Sequence, residues 1–159
     1  MIVKSYEVQK KITNLSKYNL FLLYGENDGL KKDIKEIIKI SQVNPNLEFL
    51  SLYENDVIDR EEIFYNSIYS GSLYSNKKII TIYATTDKII KKISDIYAKY
   101  PENVFLKFFS EILDKKSKLR NFFETNKKTI CIPCYLDSER DLITIAQSEL
   151  KKNNIIISQ

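Results

Sequence analysis

Histidine is absent from the 159 residues of the chain. That zero removes Ser-His-Asp and Cys-His nucleophiles, the His-Glu-x-x-His zinc motif and imidazole acid–base chemistry together. Glycine and proline number three each, too few for long linker-like or disordered tracts. No run approaches the roughly eighteen apolar residues of a membrane span, and the opening "MIVKSYEVQKK" lacks the apolar core of a signal peptide. The expectation is a cytoplasmic protein with no membrane partner, whose two cysteines stay reduced. Those two, Cys131 and Cys134, form C-x-x-C. Zinc needs two further ligands, and there is neither a second cysteine pair nor a histidine. A redox pair belongs at a helix start, whereas Cys131 falls in a strand pattern. Both cysteines read as structural.

What is present is ordinary for a globular domain. Hydrophobic residues make up 43% and charged residues 29%, so a core with a solvated surface follows, and the length suits one domain or one plus a fragment. The net charge of +4 fits work near nucleic acid, although a solvated lysine-rich surface explains it more economically.

Along the chain, strand and helix patterns alternate. Val8, Ile12 and Leu15 recur at helical spacing over 6–15. "LFLLY", 20–24, is a continuous apolar run suited to a parallel strand buried on both faces. Asp28 is placed to cap a helix whose apolar face is Leu30, Ile34, Ile37 and Ile38. Strand patterns follow at 47–51, 78–83, 103–109 and 129–133. Between them fall helices at 59–71, closed by Gly71, at about 89–100, stopped by Pro101, and at 114–123. Five such alternations predict a three-layer α/β fold with a parallel sheet of five strands. Beyond Pro133 the rhythm breaks. Ser138 and Asp141 resemble a capping pair, and Leu142, Ile145, Ala146 and Leu150 form one helical face. Residues 1–135 therefore read as one domain and 136–159 as the start of another.

"YGENDGLKK", 24–32, stands where a phosphate-binding loop belongs, after a strand and before a helix. A working loop needs G-x-x-x-x-G-K-[ST]: backbone N–H groups around the phosphates, a lysine on them and a hydroxyl on magnesium. Here Gly25 and Gly29 are one residue too close, Leu30 takes the lysine's place, and Lys31 and Lys32 come late without a following hydroxyl. The loop is degenerate. A second requirement of such ATPases, acidic residues at the end of a later core strand, also fails. The run 78–83 ends in Ala84-Thr85-Thr86, Asp87 reads as the cap of its own helix, and Glu111 stands alone. No cofactor, metal or catalytic residue is expected. The lysines of "DKKSKLR" lie on a helix with Leu119 and Phe122 facing inward, and the sequence leaves a solvated face and a nucleic-acid contact equally open.

One apolar pair is out of place. Leu73 and Tyr74 sit side by side, after Ser72, in a loop between a helix and a strand. Either they cover the sheet edge, or they are exposed anchors for a partner's pocket.

In this order and spacing, "LLYGEN", "SLYSNKKIITI", "ILDKKSKLRNFF" and "TICIPCYLDSERDLITIAQSEL" resemble the N-terminal domain of the delta subunit of the bacterial DNA polymerase III clamp loader. The resemblance spans nearly the whole chain. It implies an AAA+ core with a degenerate phosphate loop, ending inside the helical lid that follows. It implies no ATP hydrolysis by this subunit, and a role in DNA replication: binding the β sliding clamp and holding the ring open. The family's apolar contact pair maps onto Leu73 and Tyr74, with tyrosine where phenylalanine is frequent. The other clamp-loader subunits would be met through a C-terminal domain, and primer-template DNA only indirectly, so this piece is expected to be monomeric and its segment from about 136 less ordered than the core. Two other readings remain: a nucleotide-binding P-loop-type ATPase with an unusual loop, and a flavodoxin-like domain, which would require strand order 2-1-3-4-5.

Overall fold

The computed structural model describes residues 1–41, 47–71 and 77–139, together with positions 142, 143, 146, 147 and 150. A short 3₁₀ turn leads into α1 (Val8–Leu15). There follow β1 (Leu20–Tyr24), α2 (Asp28–Ser41), β2 (Leu47–Tyr53), α3 (Glu54–Asp59), α4 (Glu61–Tyr69) and β3 (Lys77–Tyr83). Then come α5 (Ile90–Tyr97), β4 (Val104–Ser110), α6 (Lys118–Thr125) and β5 (Thr129–Pro133).

The five strands form one sheet in the order β2-β3-β4-β1-β5, every neighbouring pair parallel. Parallel strands need crossovers, and helices supply them on both faces. The two faces of β1 show the division of labour. Leu20, Leu22 and Tyr24 pack with Val57, Phe64, Ile68, Ile93, Ile96, Leu119 and Phe123, which come from α3 to α6. Phe21 and Leu23 pack with Val8 and Leu15 of α1 and with Ile34 and Ile38 of α2. A strand apolar at every position is what two covered faces demand, and all five residues of β1 are buried. The order is not the flavodoxin order 2-1-3-4-5, so that reading is excluded.

Several local expectations are corrected. The cap of α2 is Asn27, not Asp28: Asn27 Oδ1 accepts the Leu30 N–H at 2.9 Å. Asp28 is already helical, and its carboxylate reaches Lys31 one turn on at 2.8 Å. The helix expected over 59–71 is α4 alone, Glu61–Tyr69, and a separate helix, α3, precedes it across a break at Arg60. Gly71 does not cap α4. The helix ends at Tyr69 with Ser70 extended, and Lys78 of β3 donates to the Ser70 and Ser67 carbonyls at 2.7 and 3.2 Å. A cation at the helix C-terminus thus does the work assigned to glycine. Of the pair read as a cap beyond Pro133, Asp141 lies outside the described residues, and the Ser138 carbonyl accepts the Leu142 N–H at 3.0 Å. No helix among the described residues is long and apolar enough to cross a membrane.

Candidate functional site

The loop after β1 is closed by its own backbone. Gly25 has φ +128°, and a Cβ there would fall 2.1 Å from the Cys134 carbonyl oxygen, so only glycine fits. The Gly25 N–H donates to the Glu111 carbonyl, the Asn27 N–H to the Cys134 carbonyl, both at 3.1 Å, and the Cys134 N–H to the Tyr24 carbonyl at 2.7 Å. These bonds stitch the loop to the chain just beyond β4 and β5. They also use N–H groups that a phosphate would need. Gly29 is a different case: it is the second residue of α2, and a methyl there would meet nothing nearer than 3.5 Å.

Lys31 completes the closure. Its side chain is buried, donating to the Gly25 carbonyl at 2.8 Å and the Ser110 carbonyl at 3.1 Å while pairing with Asp28. The ammonium that would meet an anion is spent on the loop itself. A shallow cleft of about 480 Å³ remains alongside, between Lys35, Tyr83 and Phe109.

The ends of β3 and β4 carry no acidic pair. Ala84 follows β3 with φ 55°. Thr85 donates its hydroxyl to the Phe109 carbonyl at 3.1 Å and lies 2.6 Å from the Ser110 hydroxyl. The acids nearby are engaged in structure. Glu54, buried, accepts from the Thr86 N–H and hydroxyl at 2.6 and 2.7 Å. Asp87 does not cap its own helical turn; Thr86 does, accepting from the Lys88 N–H. Asp87 instead caps α6, accepting from the Ser117 hydroxyl at 2.6 Å and the Lys118 and Leu119 N–H groups at 2.9 Å. Burial pushes the Asp87 carboxyl up, but these hydrogen bonds outweigh it and hold it below its ordinary value.

Cys131, in β5, and Cys134 are buried and free. Burial pushes both thiols up to about 12, which suppresses the thiolate that redox or metal chemistry requires. Among the described residues there is no cluster of three or more potential metal ligands. In the basic helix, Arg120 is structural: it pairs with Glu124 at 2.8 Å, donates to the Leu113 carbonyl and stacks over Tyr24. The helix expected from 114 starts only at Lys118, so Lys115 and Lys116 lie in the turn before α6; both, and Lys118, are exposed.

Leu73, Tyr74 and Ser72 lie outside the described residues. Their described flanks are Gly71, exposed, and Lys77, the first residue of β3.

The fold and the closed loop define an AAA+-like α/β domain in which the phosphate loop is plugged from within. In sequence the chain is similar to a Rickettsia prowazekii protein described as "Probable DNA polymerase III subunit delta", 26% identical over 145 residues, covering 90% of this chain and 43% of that protein. The resemblance read from the motifs therefore holds. In structure it is similar to the DNA clamp loader delta protein of Bacillus subtilis, with TM-score 0.65 and 14% identity, covering 94% of this chain and 48% of that one. The chain thus spans less than half the length of each. No family model matches.

Proposed function

We propose that the chain is the N-terminal part of a clamp-loader delta subunit that acts in DNA replication by binding the β sliding clamp and holding the ring open, without hydrolysing ATP. Residues 1–135 are the clamp-binding domain and 136–159 begin a helical lid. The observation that supports this reading is the closed loop: Lys31 donates to the Gly25 and Ser110 carbonyls, where a working phosphate loop turns its donors to a ligand. A domain closed in this way works through its surface. The contact is assigned to Leu73 and Tyr74, with Ser72 beside them.

The mechanism needs no reaction. A binder opens a ring only by preferring the open form, and a hundredfold preference contributes about 2.7 kcal/mol towards opening. ATP would be turned over by other subunits, met through parts of the protein that this chain does not span. The test is titration of the chain with the β clamp encoded by the same genome, alongside titration with labelled ATP and magnesium. Saturable clamp binding without ATP binding is the expected pair of results. Micromolar ATP binding would revive the enzyme reading.

A further inference from the structure

The N-terminal edge of the sheet carries a second surface. Where the chain enters β1, β4 and β5 there is a cleft of about 600 Å³. Four lysines rim it: Lys17, Lys99, Lys127 and Lys128. All four are exposed. None of their ammonium groups makes a hydrogen bond or ion pair among the described residues. The carboxylate on the rim is Glu102. The floor is fixed, because the Asn19 side chain donates to the Glu102 carbonyl at 2.8 Å and the Leu106 N–H to the Asn19 carbonyl at 2.7 Å.

The electrostatics limit what fits. The four ammoniums less Glu102 leave three formal positive charges. The helices α1, α5 and α6 all end at this edge, and each C-terminus contributes about half a negative charge, which roughly halves the surplus. That suits a few carboxylates better than a phosphodiester chain. The tyrosines of the cleft argue the same way, because none offers a free platform for a base. Tyr100 donates its hydroxyl to the Val104 carbonyl at 2.5 Å, Tyr97 meets Phe122 edge-on at 5.3 Å, and Tyr18 packs on the α1–α2 core.

The position is equally specific. In the order β2-β3-β4-β1-β5, the entry to β3 neighbours the entry to β4 on one sheet edge. Tyr69, at the end of α4, donates to the Lys99 carbonyl at 3.5 Å, so the approach to Gly71 borders the cleft.

We propose that this cleft takes an acidic segment of the same protein partner that docks before β3, as an electrostatic annex to that contact. The inference rests on the clamp-binding reading. Rim charges of this kind act on association rate and salt dependence more than on dissociation.

The test uses the whole chain and the β clamp of the same genome, with Lys127→Glu/Lys128→Glu and, separately, Lys99→Glu, at 50 and 200 mM salt. The expected result is about a three- to tenfold loss of affinity at low salt, mainly in association rate, that shrinks at high salt, with unchanged melting. If the parent binds, Leu73→Ala/Tyr74→Ala weakens binding, and the lysine variants bind like the parent at both salts, the annex is overturned while the clamp reading stands. If the parent does not bind the clamp, both fall. If the variants lose only an interaction with a 20-nucleotide oligothymidylate, the occupant is nucleic acid and the proposal is wrong.

Discussion

Lys31 and Gly25 close the loop after β1 on each other: the lysine ammonium, one turn into α2, donates at 2.8 Å to the carbonyl of the residue that follows β1. In a working loop the lysine directly follows the second glycine and points at the ligand; Lys31, one position later, points back at the loop. Replacing Lys31 with methionine leaves the Gly25 and Ser110 carbonyls without their donor, and should cost about 2 kcal/mol or more. Denaturant unfolding measures the loss. Labelled ATP should bind neither parent nor variant, because the loop N–H groups stay committed.

Gly25→Ala should be worse. It requires a side chain at φ +128° and a Cβ 2.1 Å from backbone at Cys134, so the junction between β1 and β5 must part. A loss of about 3 kcal/mol or more is expected from the clash and the strain together. Gly29→Ala, whose methyl would meet nothing nearer than Asn27 Oδ1 at 3.5 Å, should be neutral or slightly stabilising. Thermal melts of the two variants side by side make the comparison.

Lys107 stands on the α2 face of β4, between Phe21 and Thr81 of the neighbouring strands. It is 1% exposed, with no hydrogen bond or ion pair among the described residues. Burial, then the nearby Lys35, lowers its pKa from 10.5 to about 8. Below pH 8 both folded and unfolded chains hold the proton, and the folded state bears the whole cost of a buried charge. Between 8 and 10.5 the folded chain releases it first, so this group's contribution to stability rises with pH. Lys107→Met should therefore stabilise the domain by about 2–3 kcal/mol at pH 7, and the advantage over the parent should shrink by pH 9.5. The difference between the two proteins is the quantity to follow, because the buried cysteines titrate in both.

Asp87→Ala removes three hydrogen bonds at the start of α6. A loss of about 1–2 kcal/mol at neutral pH is expected. Because the folded carboxyl lies below its ordinary 3.8, that stability is present above the ordinary value and disappears as pH falls through the lowered one. Parent and variant should then converge in strong acid, as followed by circular dichroism during acid unfolding.

The central strands were legible because burial on both faces leaves few polar positions to obscure them. "LFLLY" is β1 and "TICIP" is β5, residue for residue. β2 runs on to Tyr53, two residues past its expected end, because as an edge strand it is exposed at most positions and its apolar signal fades. The helix α3 was missed: "ENDVID" has too little apolar periodicity, and it is held by Val57 in the core and by Glu54 reaching Thr86. The loop's departure from the phosphate-loop pattern was readable from the glycine spacing, from Leu30 in the lysine's place and from the missing hydroxyl. The reason it stays closed was not, because Lys31 meets Ser110 across 79 positions of chain. Asp87 was misassigned for the same cause: linear reading favours the nearest helix start, and its partners lie at Ser117 to Leu119.

The central claim is tested most directly by one titration of the β clamp with the chain and with Leu73→Ala/Tyr74→Ala, each checked for its melting point. Exposed anchors should leave the melt unchanged and cost at least a several-hundredfold loss in affinity, since full burial of each side chain is worth roughly 1.5–3 kcal/mol and central anchors often cost 2 kcal/mol or more. A variant that melts like the parent and binds the clamp equally well contradicts the assignment. One that loses about 4 kcal/mol of stability instead makes the pair part of the core.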